Sequence, residues 1–243
     1  MIVEKYSIIY GGKIIELEIQ RKKVKNLNLN VRPDMTVVVS ANETVPIKNI
    51  LKFVSDKAPW IIKNVNYFRN VQPEHISKKD YVSGETFKYL GKQYRLKVEE
   101  VDEGESVKFF QGFIYLNVKD KKNMDIKEKL MSDWFREKAV LNFKESLERV
   151  FPLIEKYGIR KPEIQIRTMK ARWGSCIKDK NVILLNFELI KAPKFCIDYV
   201  VLHELIHFKY RNHNMDFYNF MTSLMPDWKQ RKEILDEDVA REL

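Results

Sequence analysis

Three of the four histidines of this 243-residue chain fall within HELIHFKYRNH, residues 203–213, and imidazole nitrogen is a common metal ligand. Residues four apart share a helix face, so His203 and His207 can bind one cation at zinc–nitrogen distances of about 2.1 Å. Glu204 points to the side of that face, where it can reach a water on the metal rather than the metal itself. The spacing therefore predicts a hydrolytic zinc site with Glu204 as general base.

The third ligand is predicted to be His213, six residues after His207. A continuing helix would rotate His213 by about 600° and carry it away from the shared face, so the helix must end first. Asn212 is one of the few residue types that tolerate a left-handed helix terminus, and it is predicted to make the break. Asn214 could then cap the next helix, with Asp216 in its first turn.

Three protein ligands leave one coordination position open, which is typical of a catalytic zinc, and one zinc per chain is expected. The alternative is an accidental HExxH in a charged helix, and the third histidine favours the metal site over it. Downstream acids such as Glu233 are the alternative third ligand. His75, in the polar segment QPEHISKKD, is expected to be an exposed bystander.

A second segment, MKARWGSC at residues 169–176, precedes a predicted strand that leads into the histidine helix. In one interpretation it is a tight turn, with Trp173 as a core anchor and Gly174 supplying an unusual backbone angle. In the other, Arg172 or backbone N–H groups of the turn lie near the metal and stabilise a developing anion. The strand VILLNF would then line the cleft and pair with an extended substrate.

The elements that must position these residues indicate an α+β protein. The first 45 residues alternate like antiparallel strands, Pro46 opens a helix, and two further strand pairs follow, each with a glycine at its turn. The period then changes, and helices are predicted over residues 126–157 and 194–210, with the strands EIQIRTM and VILLNFEL between them. We expect a β-rich region over residues 1–124 and a hydrolase domain over residues 125–243.

Composition sets limits on partners and compartment. The formal net charge is +10, from 44 basic and 34 acidic side chains. Basic clusters at Arg21–Arg32 and between Lys156 and Lys194 predict either a nucleic-acid partner or a solvated basic face. Only Cys176 and Cys196 occur, and both are expected to be small buried hydrophobic residues. With no run of roughly 20 apolar residues and no signal-peptide pattern, we expect a cytoplasmic protein without membrane contact.

The motifs MKARWGSC, VILLNFELIKAP, DYVVLHELIHFKYRNH and MDFYNF together resemble the YgjP-like metallopeptidase family, which is related to SprT-like zincins. The resemblance covers residues 160–225 strongly and the front strands weakly. It implies a zincin-like catalytic domain, an HExxH helix packed on a small sheet, His203, His207 and His213 as ligands and Glu204 as base. Relatives often have Ser and Trp where this chain has Asn214 and Tyr218. Peptidase is the usual label of the family, and some relatives are labelled nucleotide pyrophosphatases.

The sequence thus favours a zinc metallopeptidase that acts on a peptide or protein substrate. One alternative is a nucleoside triphosphate (pyro)phosphohydrolase, which the basic clusters would suit but no Gly-rich phosphate loop supports. The other is a nucleic-acid-binding protein whose zinc is structural, against which an open coordination position and Glu204 argue.

Overall fold

The computed structural model describes residues 3–32, 35–71, 79–169 and 172–240. Its contacts divide the chain into two compact units, one within residues 1–76 and one within residues 77–239. The strands of residues 86–118 therefore group with the helices that follow them, whereas the sequence-based division lay at residue 124. His75 and Lys170 lie outside the described residues.

The first unit is a four-stranded mixed sheet with two helices. Its elements are β1 (Val3–Tyr10), β2 (Lys13–Arg21), β3 (Asn28–Val31), β4 (Val37–Ala41), α1 (Ile47–Asp56) and α2 (Ala58–Val71). Alternating apolar residues of β2 and β4 pack with Ile50 and Val54 of α1 and Ile61 of α2 to form its core. Pro46 directly precedes α1, so the predicted helix start at this proline is confirmed.

The second unit begins with a sheet of the same topology. Its strands are β5 (Thr86–Tyr89), β6 (Lys92–Glu100), β7 (Ser106–Phe110) and β8 (Phe113–Val118). The strand orders β1-β2-β4-β3 and β5-β6-β8-β7 both place two antiparallel hairpins side by side, so that their inner strands run parallel. The expectation of antiparallel strands over the first 45 residues was wrong for β2 and β4, which pair in parallel. Turn residues predict which strands form a hairpin, not how two hairpins join.

A 32-residue helix, α3 (Met124–Glu155), follows and packs on β8 and on the histidine helix. The third sheet has the order β10-β11-β9 and consists of β9 (Glu163–Arg167), β10 (Gly174–Ile177) and β11 (Val182–Asn186). β11 is parallel to β9 and antiparallel to β10. The sequence predicted β9 and β11 but treated β10 as part of a turn.

The histidine helix, α4 (Lys194–Ile206), packs on β10, β11 and α3, so the predicted HExxH helix on a small sheet is confirmed. Its start is fixed by the β5–β6 hairpin, where Leu90 N–H and Gly91 N–H donate to the carbonyls of Ile190 and Lys191 at 3.0 and 2.8 Å. At Gly91, with φ +82°, a Cβ would lie 2.7 Å from the Pro193 ring, so only glycine fits.

The spacing of Phe195, Tyr199, Leu202 and Ile206 predicts one core-facing apolar stripe on α4, and the burial of the helix differs from it. Phe195, expected to face the core, is 41% exposed, whereas nine of the thirteen residues of Lys194–Ile206 are buried, and they lie on every side of the helix. The burial of a helix that is enclosed on all sides cannot be predicted from one apolar stripe.

Two further helices complete the chain, α5 (Met215–Leu224) and α6 (Trp228–Ala240). Within the described ranges, no helix combines the length and apolar character needed to cross a bilayer.

Candidate metal centre

The structure brings His203, His207 and His213 together. One ring nitrogen from each lies within 4.8 Å of those of the other two, and the Nε2 atoms of His203 and His213 are 2.9 Å apart. Two nitrogens bound to one tetrahedral zinc lie about 3.4 Å apart, so small side-chain shifts suffice for shared coordination. Across the described residues, no other group of histidine, cysteine or acidic side chains has this arrangement. Glu233, the alternative third ligand, is exposed and not part of the group.

A turn after α4 returns the chain so that His213 meets the other two histidines. The helix ends at Ile206, four residues earlier than predicted, and Phe208 and Lys209 N–H donate to Leu205 and Ile206 carbonyls in tighter turns. Asn212 does not have a positive φ, so the predicted left-handed break at that residue is wrong. Instead, N–H groups of the tightened last turn donate to backbone carbonyls that the end of the helix would leave without a partner.

The helix after the turn begins as predicted. The Asn214 side chain accepts a hydrogen bond from Phe217 N–H at 3.0 Å, and Asp216 stands in the first turn of α5. This cap holds the helix start directly after His213. The chain is therefore anchored on both sides of that histidine, by the last turn of α4 and the cap of α5.

The ring of His207 is oriented by the backbone. Its Nδ1 lies 3.0 Å from the Tyr210 carbonyl oxygen. Because a carbonyl can only accept, Nδ1 carries the proton and the lone pair of Nε2 is free for a metal. Histidine ligands in metalloproteins typically hold their second nitrogen in this way.

Phe217 packs against all three histidine rings, with centroid distances of 5.0, 4.9 and 4.7 Å to His203, His207 and His213. It is fully buried. Sequence reasoning missed this residue, although its position three residues after the predicted cap placed it in the first turn of α5.

Burial lowers the pKa of His203 to about 3, with the charges of His207 and His213 as the next causes. The ring is therefore neutral, as a metal ligand must be.

Glu204 is buried, with 6% of its surface exposed, and it lies against β10. The Cys176 backbone N–H donates to its carboxylate. Burial raises the pKa of the carboxyl to about 7, against the opposing effects of the Arg172 charge and this hydrogen bond. A Cβ at Gly174 would lie 2.7 Å from both Cγ and Oε1 of Glu204. Gly174 has no positive φ, contrary to the turn prediction. Glycine is required there because the Glu204 side chain approaches too closely for any Cβ.

The segment before β10 is held by one buried amide, Asn186, at the end of β11. Its Nδ2 donates to the carbonyls of Met169 and Arg172 at 2.8 and 3.2 Å, and its Oδ1 accepts from Met169 N–H. Arg172 itself is exposed, and its charge acts on Glu204. Trp173 is half-buried rather than a core anchor. Sequence reasoning did not identify Asn186, because its partners are 14 and 17 residues away.

The edge strands of this sheet are β10 and β9, and β10 is the edge beside Glu204. β11 has neighbours on both sides, so the predicted pairing of VILLNF with a substrate is wrong. Asn186 N–H donates to the Trp173 carbonyl, which makes these two residues a hydrogen-bonded pair of the antiparallel ladder. By alternation, Gly174 and Cys176 direct their backbone groups away from β11. The Cys176 N–H is the group that meets Glu204.

An ion pair joins α4 to α3 five residues before His203. The Asp198 carboxylate accepts from Ser146 Oγ at 2.6 Å and from Arg149 Nε and Nη2 at 3.2 and 2.8 Å. A bidentate arginine fixes the geometry of the carboxylate as well as its distance. This contact sets the position of α4 along α3.

Aromatic rings flank the histidines. Trp228 stacks between Tyr199 and Tyr218, at centroid distances of 6.3 and 5.3 Å, and Tyr218 stacks on His213 at 6.1 Å. Tyr218 is 39% exposed and the other two are buried.

Of the cysteines, Cys196 is buried as predicted, whereas Cys176 is only half-buried. Burial raises the pKa of the Cys176 thiol to about 11.

A family model matches most of the chain, and some solved structures resemble part of it. The family model described as "YgjP-like, metallopeptidase domain" matches residues 25–238. Among solved structures, the metallopeptidase zymogen of Pyrococcus abyssi abylysin is 22% identical, with a TM-score of 0.34, and the match covers 39% of this chain and 89% of that one. The zymogen of Methanocaldococcus jannaschii jannalysin is 23% identical, with a TM-score of 0.32, over 37% and 90% of the two chains. None of the curated proteins matches the chain.

Proposed function

The chain belongs to the YgjP-like metallopeptidase family, and from that premise we propose that it is a zinc-dependent peptidase with Glu204 as its general base. The observation that carries the proposal is the juxtaposition of three histidine nitrogens within 4.8 Å and a buried glutamate next in sequence to one of them. Imidazole nitrogens and a neighbouring carboxylate are the groups that metal-assisted hydrolysis of an amide needs.

The donor set supports zinc as the metal. Three neutral imidazoles suit zinc and other late first-row metals, whereas calcium and magnesium prefer oxygen ligands. His207 meets a further requirement of such sites, because its second nitrogen donates to a backbone carbonyl. Three protein ligands leave a coordination position for water and substrate. We infer that His203, His207 and His213 hold one zinc ion per chain.

When bound, zinc supplies Lewis acidity that activates a water molecule and polarises the substrate carbonyl. Glu204 accepts the proton of the attacking water and passes it to the leaving amine. The Cys176 N–H and the close contact with Gly174 hold that carboxylate in one position before substrate binds. Arg172, exposed beside Glu204, is proposed to stabilise the negative charge that develops on the substrate oxygen.

We propose that the peptide substrate lies along the free edge of β10. Extended peptides add to exposed sheet edges through main-chain hydrogen bonds. Three backbone groups are directed away from β11 next to Glu204: the N–H and the carbonyl of Gly174 and the carbonyl of Cys176. Backbone contacts of this kind would make cleavage depend on an extended, unfolded substrate more than on its sequence.

Turnover of an unstructured protein tests the proposal. The purified protein loaded with zinc should cleave casein-like chains, and a chelator should abolish cleavage until zinc is returned. Nucleoside triphosphates serve as the second substrate class in the same assay. Metal-dependent hydrolysis of the triphosphates without peptide cleavage would assign the site to a phosphohydrolase and reject the peptidase.

Metal content tests the ligand set separately. His213→Ala should retain the fold, because this side chain is exposed, and should lose zinc on dialysis. Removing one of three protein ligands leaves a two-residue site of much lower affinity. Zinc at full occupancy in this variant would show that the third ligand is another residue.

A further inference from the structure

The β5–β8 sheet has one face in the core and one outer face that carries aromatic rings. Ile114, Leu116 and Val118 of β8 are fully buried, so the alternating residues Phe113 and Tyr115 point to the other side. Phe110 on β7 is paired directly with Phe113 and is 60% exposed. Three neighbouring rings therefore occupy the outer face; Phe110 is exposed and Phe113 and Tyr115 are half-buried. A contiguous exposed apolar patch often marks an interaction site.

Cations surround these rings on the same face. The register pairs Arg95 with Phe113, and both Lys97 and Lys108 with Tyr115. Lys97 Nζ lies 3.9 Å from the centroid of Phe113 and 5.1 Å from that of Tyr115, and it donates to the Tyr115 hydroxyl at 3.2 Å. Arg95 and Lys108 are exposed on either side of these residues. We call this set the aromatic–basic face: Arg95, Lys97, Lys108, Phe110, Phe113 and Tyr115.

We propose that the aromatic–basic face binds single-stranded nucleic acid, with bases stacked on the rings and phosphates paired with the three cations. Every base has a π face, so stacking on aromatic side chains is tolerant of sequence, and a basic surface follows the backbone. A duplex hides its bases inside the stack, whereas a sheet face can receive bases that are splayed out. The chemistry is shared by single-stranded RNA and single-stranded DNA.

The charge of the face favours a polyanion over a peptide. Three cations surround the rings. On the same face of β6, the acid is Glu99, which is paired with Asn117 of β8, two residues beyond Tyr115. Lys97 is already held above two rings, so a phosphate can meet it without ordering a free side chain. The chain as a whole carries a net charge of +10, which attracts the same class of ligand.

The basic clusters of the sequence are less suitable. Arg21 donates to Glu4 at 3.1 Å and to the carbonyls of Asn42 and Val45, so it stabilises the first unit. In the second cluster, Lys161, Lys191 and Lys194 pair with Glu148, Glu188 and Glu145. Their charges are partly neutralised, and the ring near Lys161, that of Phe151 at 5.7 Å, is buried and cannot stack on a base.

Fluorescence anisotropy of the full chain with labelled oligonucleotides tests the inference. Single strands of about 12 nucleotides, as oligothymidine and as oligouridine, match the length that small single-strand-binding surfaces cover. We expect binding at low salt, with log affinity falling at a slope of about −2 against log salt, since three cations each release about 0.7 counterion. A duplex of the same length should bind more weakly. A chelator in every sample keeps the result independent of the peptidase proposal.

Matched variants separate stacking from charge. Phe110→Leu keeps an apolar side chain but removes the π face, and it should weaken binding about tenfold. Phe109→Leu is the control, because Phe109 is on the same strand and packs on the other side of the sheet against Tyr94. Lys108→Gln should reduce the salt slope by about 0.7.

Four outcomes would overturn the inference. These are the absence of binding at low salt, preference for the duplex, equal affinity of Phe110→Leu and the unchanged protein, and equal losses in Phe110→Leu and its Phe109→Leu control. Affinity for oligothymidine alone, or for oligouridine alone, would support the face and identify the sugar it prefers. Melting temperatures of the variants check that the 60% exposed Phe110 can be replaced without unfolding.

Discussion

At the scale of residues, the site depends on a few close contacts between groups distant in sequence. The histidine triad was predictable because its spacing is local: two residues on one helix face and a third after a short turn. The contact of Glu204 with Gly174 was not, because thirty residues separate them and only the fold brings them together. For the same reason Gly174 was assigned to a strained turn when its function is to admit a carboxylate.

Gly174→Ala tests whether the position of the Glu204 carboxylate is needed. The new Cβ would lie 2.7 Å from Glu204 Cγ and Oε1, and the flexible carboxylate would move more readily than the backbone. We expect the variant to fold and bind zinc but to lose about 10²-fold in kcat, the typical cost of a misplacement near 1 Å. Ser175→Ala on the same strand is the control and should retain activity. Equal kcat values for the two variants would contradict a positioning role.

At the scale of elements, periodicity predicted most helices and strands but not their arrangement. The helix that begins after Pro46 and the glycine turns of the hairpins were predicted because each depends on local backbone chemistry. β10 was missed, since four residues beside a turn-rich segment carry no clear alternation. The order of strands in all three sheets depends on long-range pairing, and the sequence contains no local signal for it.

The Asp198 contact should determine how firmly α4 is held against α3. Asp198→Ala leaves Arg149 without its bidentate partner and Ser146 without its acceptor, and we expect the free energy of local unfolding of α4 to fall by about 1.5–3 kcal/mol. Native-state hydrogen exchange of α4 amides measures it. Glu145→Ala is the control, because its side chain is 43% exposed and its ion pairs should contribute about 0.5 kcal/mol or less. Losses of the same size in both variants would refute the specific contribution of Asp198.

At the scale of the whole molecule, the candidate metal centre belongs to one of the two compact units. All three histidines and the helices that hold them lie within residues 77–239, while the sheet of the first unit contributes none of these residues. The repeated strand order β1-β2-β4-β3 and β5-β6-β8-β7 was not visible as a sequence repeat, because the two sheets share topology and not residue patterns. A ligand of the second unit should therefore stabilise that unit.

Zinc should slow hydrogen exchange in one unit. Binding to the folded site stabilises it by about 4 kcal/mol when free zinc is about 1,000 times the Kd. We expect added zinc to protect amides of α4 and α5, with β1–β4 unchanged, and a chelator to reverse the protection. His213→Ala should show no response. Equal protection of β1–β4 by zinc would place the metal site elsewhere or show that the two units unfold together.

The central claim, that Glu204 is the base of a zinc peptidase and not a ligand, is tested most directly by Glu204→Gln. Gln keeps the size and hydrogen bonding of the side chain but cannot accept a proton. The account predicts a variant with full zinc content and an unchanged melting temperature whose cleavage of a casein-like substrate falls at least 10²–10⁴-fold. Retention of full peptidase activity, or loss of zinc from the variant, would contradict it.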